Sequence, residues 1–393
     1  MQEWNMKRVA KRVGVIFLIF SVLVTTLVSG IVIANVNNVG RLVHVVQLIR
    51  HDYLENVSTS QLVEGATKGI VEILGDPYST YMNAQENKEL FEILEGKFGG
   101  IGIVLSLKDP KKLVVLRPIK NSPASKAGIQ SGDVVSKIND ADTAGMDQDK
   151  AVGLMRGEPG TKVNLAVYRE STNKTFTVSL TRENITVPTV DGQALPGHPD
   201  IAYISITQFG SDTGTELKDT FNTMNIKQFK GLILDMRYNH GGELNAAVQV
   251  ASYFIPDGPV VYIVDKQGNV DTKMATGTYL GMPMVVLVNE ESASAAEIVA
   301  GAIKDKGTAN LVGVKTFGKG IVQTIFPLDG GTSVKLTTAK YLTPNKLDIH
   351  KKGIEPDIVA ELPKGQQATI TPQDTNFDPQ LQKALQTLRE KLK

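Results

Sequence analysis

Apolar positions between residues 36 and 96 recur three and four apart, as in Leu42, Val45, Val46 and Leu48, then Leu62, Ala66, Ile70 and Ile73. That spacing puts them on one side of a helix, so 36–96 is predicted to be a helical N-terminal region. From 97 to 182 the pattern becomes alternation, in Leu113-Val-Val-Leu-Arg117 and Lys162-Val-Asn-Leu-Ala-Val-Tyr168, punctuated by Ser122-Pro-Ala-Ser-Lys-Ala-Gly128 and Gly132-Asp-Val-Val135. A β-rich module follows from it. Past 183, short continuous apolar runs near 201–206, 230–236, 260–264 and 284–289 are separated by helical segments, which predicts an α/β body over 183–365. A Pro/Gln/Thr-rich stretch then leads, within 366–393, to a linker and a final amphipathic helix with the stripe Leu381, Ala384, Leu385 and Leu388. No internal repeat is evident.

The first 12 residues carry Lys7, Arg8, Lys11 and Arg12, and an uncharged stretch follows to Ala34. It is long enough for the roughly 20-residue helix that crosses a bilayer. One transmembrane signal anchor is therefore expected at 13–35, with Val32-Ile-Ala34 as an alternative cleavage site. The basic cluster would keep residues 1–12 cytoplasmic and place the rest outside the cell membrane.

Composition narrows the chemistry. A formal charge of +1 over 393 residues gives no broad basic surface for nucleic acid. Five scattered histidines and no cysteine provide neither a zinc helix nor thiolate ligands, and they exclude disulfides.

The strongest chemical signal is Ser294, in Asn289-Glu-Glu-Ser-Ala-Ser-Ala-Ala-Glu297, followed by Lys319 in Phe317-Gly-Lys-Gly320 and by Gln323. A serine hydroxyl needs a neighbour to take its proton, and a neutral lysine can serve. Apolar residues on both sides of Lys319, Leu311-Val-Gly-Val314 before it and Ile321-Val322 and Ile325-Phe326 after it, would disfavour the ammonium. Gln323 would face the same way as Lys319 and orient the amine without adding charge. Met284-Val-Val-Leu-Val288 reads as a buried strand and Ala295 to Ile303 as a helix, so Ser294 would stand at the junction with the Ala295 amide free to hold an oxyanion. The second donor is assigned to Gly241, with Gly242 as the near alternative, in the turn after the strand Gly231-Leu-Ile-Leu-Asp-Met236. Taken singly, these features also read as a helix cap, a tight turn and a solvated loop lysine. Gly313-Val-Lys-Thr-Phe-Gly-Lys-Gly320 nearly spells a phosphate-binding loop, but Gly320 lacks the hydroxyl that would hold magnesium and a strand pattern follows.

Residues 40–362 resemble the carboxyl-terminal processing, or tail-specific, serine proteases. The likeness rests on Leu74-Gly-Asp-Pro-Tyr-Ser-Thr-Tyr-Met82, Phe98-Gly-Gly-Ile-Gly-Ile103, Asp235-Met-Arg-Tyr-Asn-His-Gly-Gly242, Ser292-Ala-Ser-Ala-Ala-Glu297 and Gly318-Lys-Gly-Ile-Val-Gln323. It implies Ser294 as nucleophile, Lys319 as base and Gln323 as its assistant, with no cofactor or metal. The family often has Pro where His240 stands and Ser where Ala296 stands.

The resemblance further implies an α/β, crotonase-like catalytic core with a β-rich part, and a PDZ-like α+β domain over 97–182. Such domains hold a peptide's terminal carboxylate on backbone amides. Gly100, Ile101, Gly102 and Ile103 would form that loop, and Arg156 would couple it to the active site unless it is merely a solvated helix-end arginine. The helical region is either a collar on the body or a homodimer contact, and an activating or adaptor protein is a further implied partner. The expected function is a membrane-anchored endopeptidase that selects protein or peptide substrates by their free C-termini. The alternatives are a non-catalytic PDZ scaffold, which would have no need of all three site residues, and a coenzyme A-type acyl transfer, for which no pocket signature exists.

Overall fold

The computed structural model describes residues 21, 22, 25, 39–106, 112–363, 365, 368 and 378–393. The expected anchor at 13–35 lies outside these residues but for three positions, and the basic segment 1–12 lies wholly outside. Among the described residues no helix is long and apolar enough to cross a membrane.

The chain divides into two compact units, residues 1–75 and 76–393. In the first, α1 (residues 39–52) and α2 (Thr59–Glu72) are the predicted helices. Ser58 starts α2 with a capping box, its hydroxyl accepting from the Gln61 amide while the Gln61 side chain accepts from the Ser58 amide. Of the predicted apolar stripes, Leu42, Val45, Leu48, Ile70 and Ile73 are exposed while Val46, Leu62 and Ala66 are half-buried.

The second unit opens with β1 (Thr80–Met82), a strand inside the stretch expected to be helical, and α3 (Ala84–Glu95). β1 exists because it pairs antiparallel with a strand about 250 residues away, a long-range contact that local periodicity does not carry. β2 (Lys97–Gly100) then leads into the PDZ module. This holds β3 (Ile103–Leu105), β4 (Leu113–Pro118), α4 (Pro123–Lys126), β5 (Val134–Ile138), β6 (Ala141–Asp142), α5 (Gln148–Met155), β7 (Lys162–Arg169) and β8 (Lys174–Thr181). Its sheet runs β3-β4-β5-β7-β8, with β6 paired to β5. Alternation in β7 buries Val163, Leu165 and Val167 while Lys162 and Asn164 stay exposed. β9 (Glu183–Thr186) pairs with β2, bringing the two ends of the module together.

The α/β body contains β10 (Val190–Leu195), β11 (His198–Ile206), α6 (Thr213–Met224), β12 (Gly231–Asp235), α7 (Leu244–Phe254), β13 (Pro259–Asp265), β14 (Val270–Met274), β15 (Met284–Val288), α8 (Ala295–Lys306), β16 (Asn310–Gly313), β17 (Ile321–Pro327), β18 (Ser333–Leu342), β19 (Ile358–Val359) and α9 (Pro379–Lys391). One sheet runs β10-β11-β12-β15-β16-β19, parallel from β11 onward. The run at 260–264 is a strand, β13, but it leaves this sheet and joins β18 in a second, antiparallel one with β1, β14 and β17.

Period-two alternation divides the parallel strands between two cores. Ala202, Ile204, Leu232, Leu234, Val286 and Val288 pack toward α6, α7 and α8. Ile201, Tyr203, Ile233, Val285 and Leu287 face the other way, onto Leu381, Ala384 and Leu388 of α9. The final helix is thus the cover of a whole sheet face.

Candidate active site

Ser294 and the Gly241-Gly242 turn stand at the carboxyl ends of the adjacent parallel strands β15 and β12, where open α/β sheets place their ligands. Ser294 is the residue before α8, with φ 54° and ψ −114°. A side chain at positive φ costs on the order of 1–3 kcal/mol and persists only where surrounding contacts enforce it. Those contacts are specific. The two turns are stitched together by the Ala293 amide donating to the Asn239 carbonyl (2.9 Å) and the Ser292 hydroxyl donating to the Met236 carbonyl (2.8 Å).

Glu297, fully buried one turn into α8, gathers the rest. One of its oxygens accepts from the backbone amides of both Ser294 (2.9 Å) and Lys319 (2.8 Å). The other accepts from the Gly318 amide (2.7 Å) and the Thr316 hydroxyl (2.6 Å). The phenol of buried Tyr341, from β18, lies within hydrogen-bond distance of the Ser294 and Lys319 carbonyls. Ser294 and Lys319 are therefore fixed to one carboxylate through their amides, and their carbonyls converge on one phenol, whose single proton is donated to one of them at a time.

Both residues line a cleft of about 510 Å³ with Gln323, Gly241, Gly242, Ala295 and a largely apolar wall that includes Leu90, Leu94, Leu244, Ile298, Ile321 and Ile325. Burial draws the Lys319 ammonium below its usual pKa, the Lys335 charge draws it further, and Asp76 opposes both. The Lys319 Nζ makes no hydrogen bond to Ser294; it lies 4.9 Å from the centroid of the Tyr78 ring.

Two expected contacts differ. Gln323 reaches the cleft, but a bulge between Val322 and Gln323 shifts the register of β17, and its amide donates to Thr337 Oγ1 (3.4 Å) and not to Lys319. The Gly241 amide is directed to Asn239 Oδ1 (2.8 Å), because the buried Asn239 side chain folds back over its own turn. Gly241 packs so closely on Ser294 that a Cβ there would lie 2.8 Å from the Ser294 Cβ. The Gly242 and Ala295 amides have no acceptor among the described residues.

At the PDZ loop, Gly100 is held in the β2–β9 pair and the Ile101 side chain is in the module's core. The Gly102 carbonyl accepts from the Ile119 amide and the Ser122 hydroxyl, and Ile103 begins β3, an edge strand paired only with β4 among the described residues. Arg156, just past α5, lies 4.3 Å over the Phe98 ring. It shares a cavity with Thr207 and Gln208, which also line the cleft beside Ser294 and Lys319.

Comparison with known proteins decides the family. The profile of peptidase family S41 matches residues 200–360, that of a PDZ domain 99–180, and that of the activating protease CtpB N-terminal domain 29–86. The carboxy-terminal processing protease CtpA of Bacillus subtilis is 41% identical over 317 residues, which are 80% of this chain and 67% of that protein. A probable CtpA-like serine protease of Staphylococcus epidermidis is 35% identical over 368 residues, 93% of this chain and 74% of that one. The chain belongs to peptidase family S41. It is a serine-type peptidase with a PDZ domain. A crystal structure of a putative S41 protease from Bacteroides fragilis shares the fold, with a TM-score of 0.56 at 16% identity over 88% of this chain and 96% of that one.

For this S41 peptidase the residue that sequence reading left without a role is Glu297, although its place three after Ser294 is the spacing of a capping box. A glutamine there keeps the shape but turns an amide group toward two backbone or hydroxyl donors. Glu297→Gln is expected to lower kcat by about 10²-fold, since an unsatisfied buried group costs about 1–3 kcal/mol and here the loss falls on the geometry of both site residues. An unchanged kcat with only a lower Tm would make Glu297 a structural residue alone.

Proposed function

We propose that this peptidase is a membrane-anchored carboxyl-terminal processing enzyme that selects substrates by their C-termini and cuts them with a Ser294–Lys319 dyad. The observation that carries the dyad is the joint tethering of Ser294 and Lys319 to Glu297 in one cleft. Ser294 Oγ attacks the scissile carbonyl while the neutral Lys319 amine takes its proton and then returns it to the leaving amine. The Ala295 and Gly242 amides receive the oxyanion in place of the Ala295–Gly241 pair expected from sequence. Gln323 shapes the cleft beside the lysine. The apolar wall favours an extended, unfolded segment.

The edge strand β3 offers backbone groups to a substrate tail added as a further strand, and the Gly100–Ile103 loop takes the carboxylate. Anchoring rests on the basic N-terminal segment and the apolar stretch at 13–35, which put the catalytic part outside the cytoplasm. The similarity to carboxy-terminal processing proteases and to an activating-protease N-terminal domain supports both the substrate class and an activating or adaptor partner.

The test uses the full chain and an unfolded protein with an apolar C-terminus, as free acid and as amide, beside a Ser294→Ala control. Turnover by the unmodified enzyme alone, with kcat/KM at least about tenfold lower on the amide, is expected from loss of a charge-assisted contact. Equal cleavage of acid and amide would remove C-terminal recognition, and cleavage by the control would remove Ser294.

A further inference from the structure

The segment before β1 delivers an aromatic ring to the base. The Asp76 carboxylate accepts from the Tyr78 amide (3.0 Å) and from the Ser79 hydroxyl (2.6 Å), and that hydroxyl in turn accepts from the Thr337 amide in β18 (3.0 Å). The next three residues pair with β18 through Thr80–Lys335, Tyr81–Val334 and Met82–Ser333. Tyr78 is thereby pinned to the strand that also carries Tyr341, and its ring faces the Lys319 Nζ at 4.9 Å. It is not among the residues that line the cleft.

We propose that Tyr78 is a positioning residue for the lysine: its ring holds the ammonium away from Ser294, and loss of the proton releases the amine to the serine. A ring face attracts a cation and has little hold on a neutral amine. The contact therefore discriminates between the two protonation states, and only the released state can act as base. This rests on Lys319 being the base. The groups around the amine set the background: Lys335 from β18 disfavours the ammonium, and Asp76 favours it while lying near His350. The Glu297 carboxylate holds the Lys319 backbone. Tyr78 adds to the side of Asp76, so it raises the pH at which the enzyme becomes active.

The test follows Lys319 directly, by NMR titration of the full chain labelled with 13Cε-lysine, its signal identified by loss in Lys319→Ala, together with the pH profile of kcat/KM. In Tyr78→Leu both the lysine titration and the acid limb are expected to move down by about half a unit to one and a half units. Tyr78→Phe, which keeps the ring, is expected to match the original protein in both. Pentafluorophenylalanine at position 78 keeps the ring's shape while reversing the charge of its face; it should move both downward, and it serves if the leucine variant fails to fold. A wild-type lysine titration in the fluorinated protein, or a phenylalanine variant shifted like leucine, overturns the proposal. Turnover by Lys319→Ala would instead overturn the base assignment, leaving the ring contact to be judged by the titration.

Discussion

Lys319→Ala is expected to abolish turnover, with kcat down by about 10³- to 10⁴-fold and the fold retained, the usual cost of losing a positioned general base. Ser294→Ala should cost at least as much, and the double variant little more than either alone, because in the proposed dyad the two act as one unit. Lys319→Arg keeps length and charge but cannot lose its proton, so it should be as inactive as alanine. The remaining activity should follow the protonation of the lysine. Burial and Lys335 hold the Lys319 pKa below 10.5, so the neutral, active fraction grows as pH rises through that lowered value. Lys335→Met removes a like charge, which raises the Lys319 pKa and moves the acid limb of kcat/KM to higher pH. Assay of kcat/KM across pH with purified variants checks both statements. Lysine variants retaining more than about a tenth of the activity would sink the dyad.

Much of the site was legible because its signals are local. Ser294 before an alanine-rich helix, the glycine pair after an apolar strand and a lysine framed by apolar residues each show in a few neighbouring residues. Contacts set by distant pairing were not. Tyr78 reaches Lys319 only because β1 pairs with β18, and no short window contains both. The choice between the two glycine amides was not legible for the same reason. Whether Gly241 or Gly242 keeps a free amide depends on Asn239, whose side chain is fixed by donating to the Ile206 carbonyl from β11 (2.8 Å) as well as by accepting from Gly241. The same limit applies to the fold. The apolar run at 260–264 reads as a strand, but its membership of the antiparallel sheet is decided by β18, about 80 residues later. For α9 the stripe gave the helix and its inward face, while the sheet that it covers could not be read from the stripe.

That helix also underlies a large expected loss of stability, at Arg237. Four residues before Gly241, the Arg237 guanidinium is fully buried and bonds both oxygens of Asp235, Asp378 Oδ2 (2.8 Å) and Gln380 Oε1 (3.0 Å). Asp235 also accepts from the Tyr203 phenol. Asp378 is the N-cap of α9, its other oxygen accepting from the Leu381 amide (3.0 Å). A single cation thus joins the end of β12, the start of the turn that leads to Gly241, and the helix that covers the sheet. Arg237→Met leaves two buried carboxylates without a counter-charge, which costs about 3–5 kcal/mol, against a typical total of about 5–15 kcal/mol. For a body of this size the Tm should fall on the order of 10 °C. Asp378→Asn should lose much less, because asparagine still caps the helix and Asp235 still neutralises the arginine. Ending the chain at residue 377 should be worse than either, since it strips Leu381, Ala384 and Leu388 from the sheet face along with the cap. Thermal unfolding of the three variants, read beside kcat, separates the roles. Arg237→Met with an unchanged Tm would show that the network contributes nothing to holding the fold. A lowered Tm with normal kcat at low temperature would mean that α9 stabilises the sheet without setting the oxyanion turn.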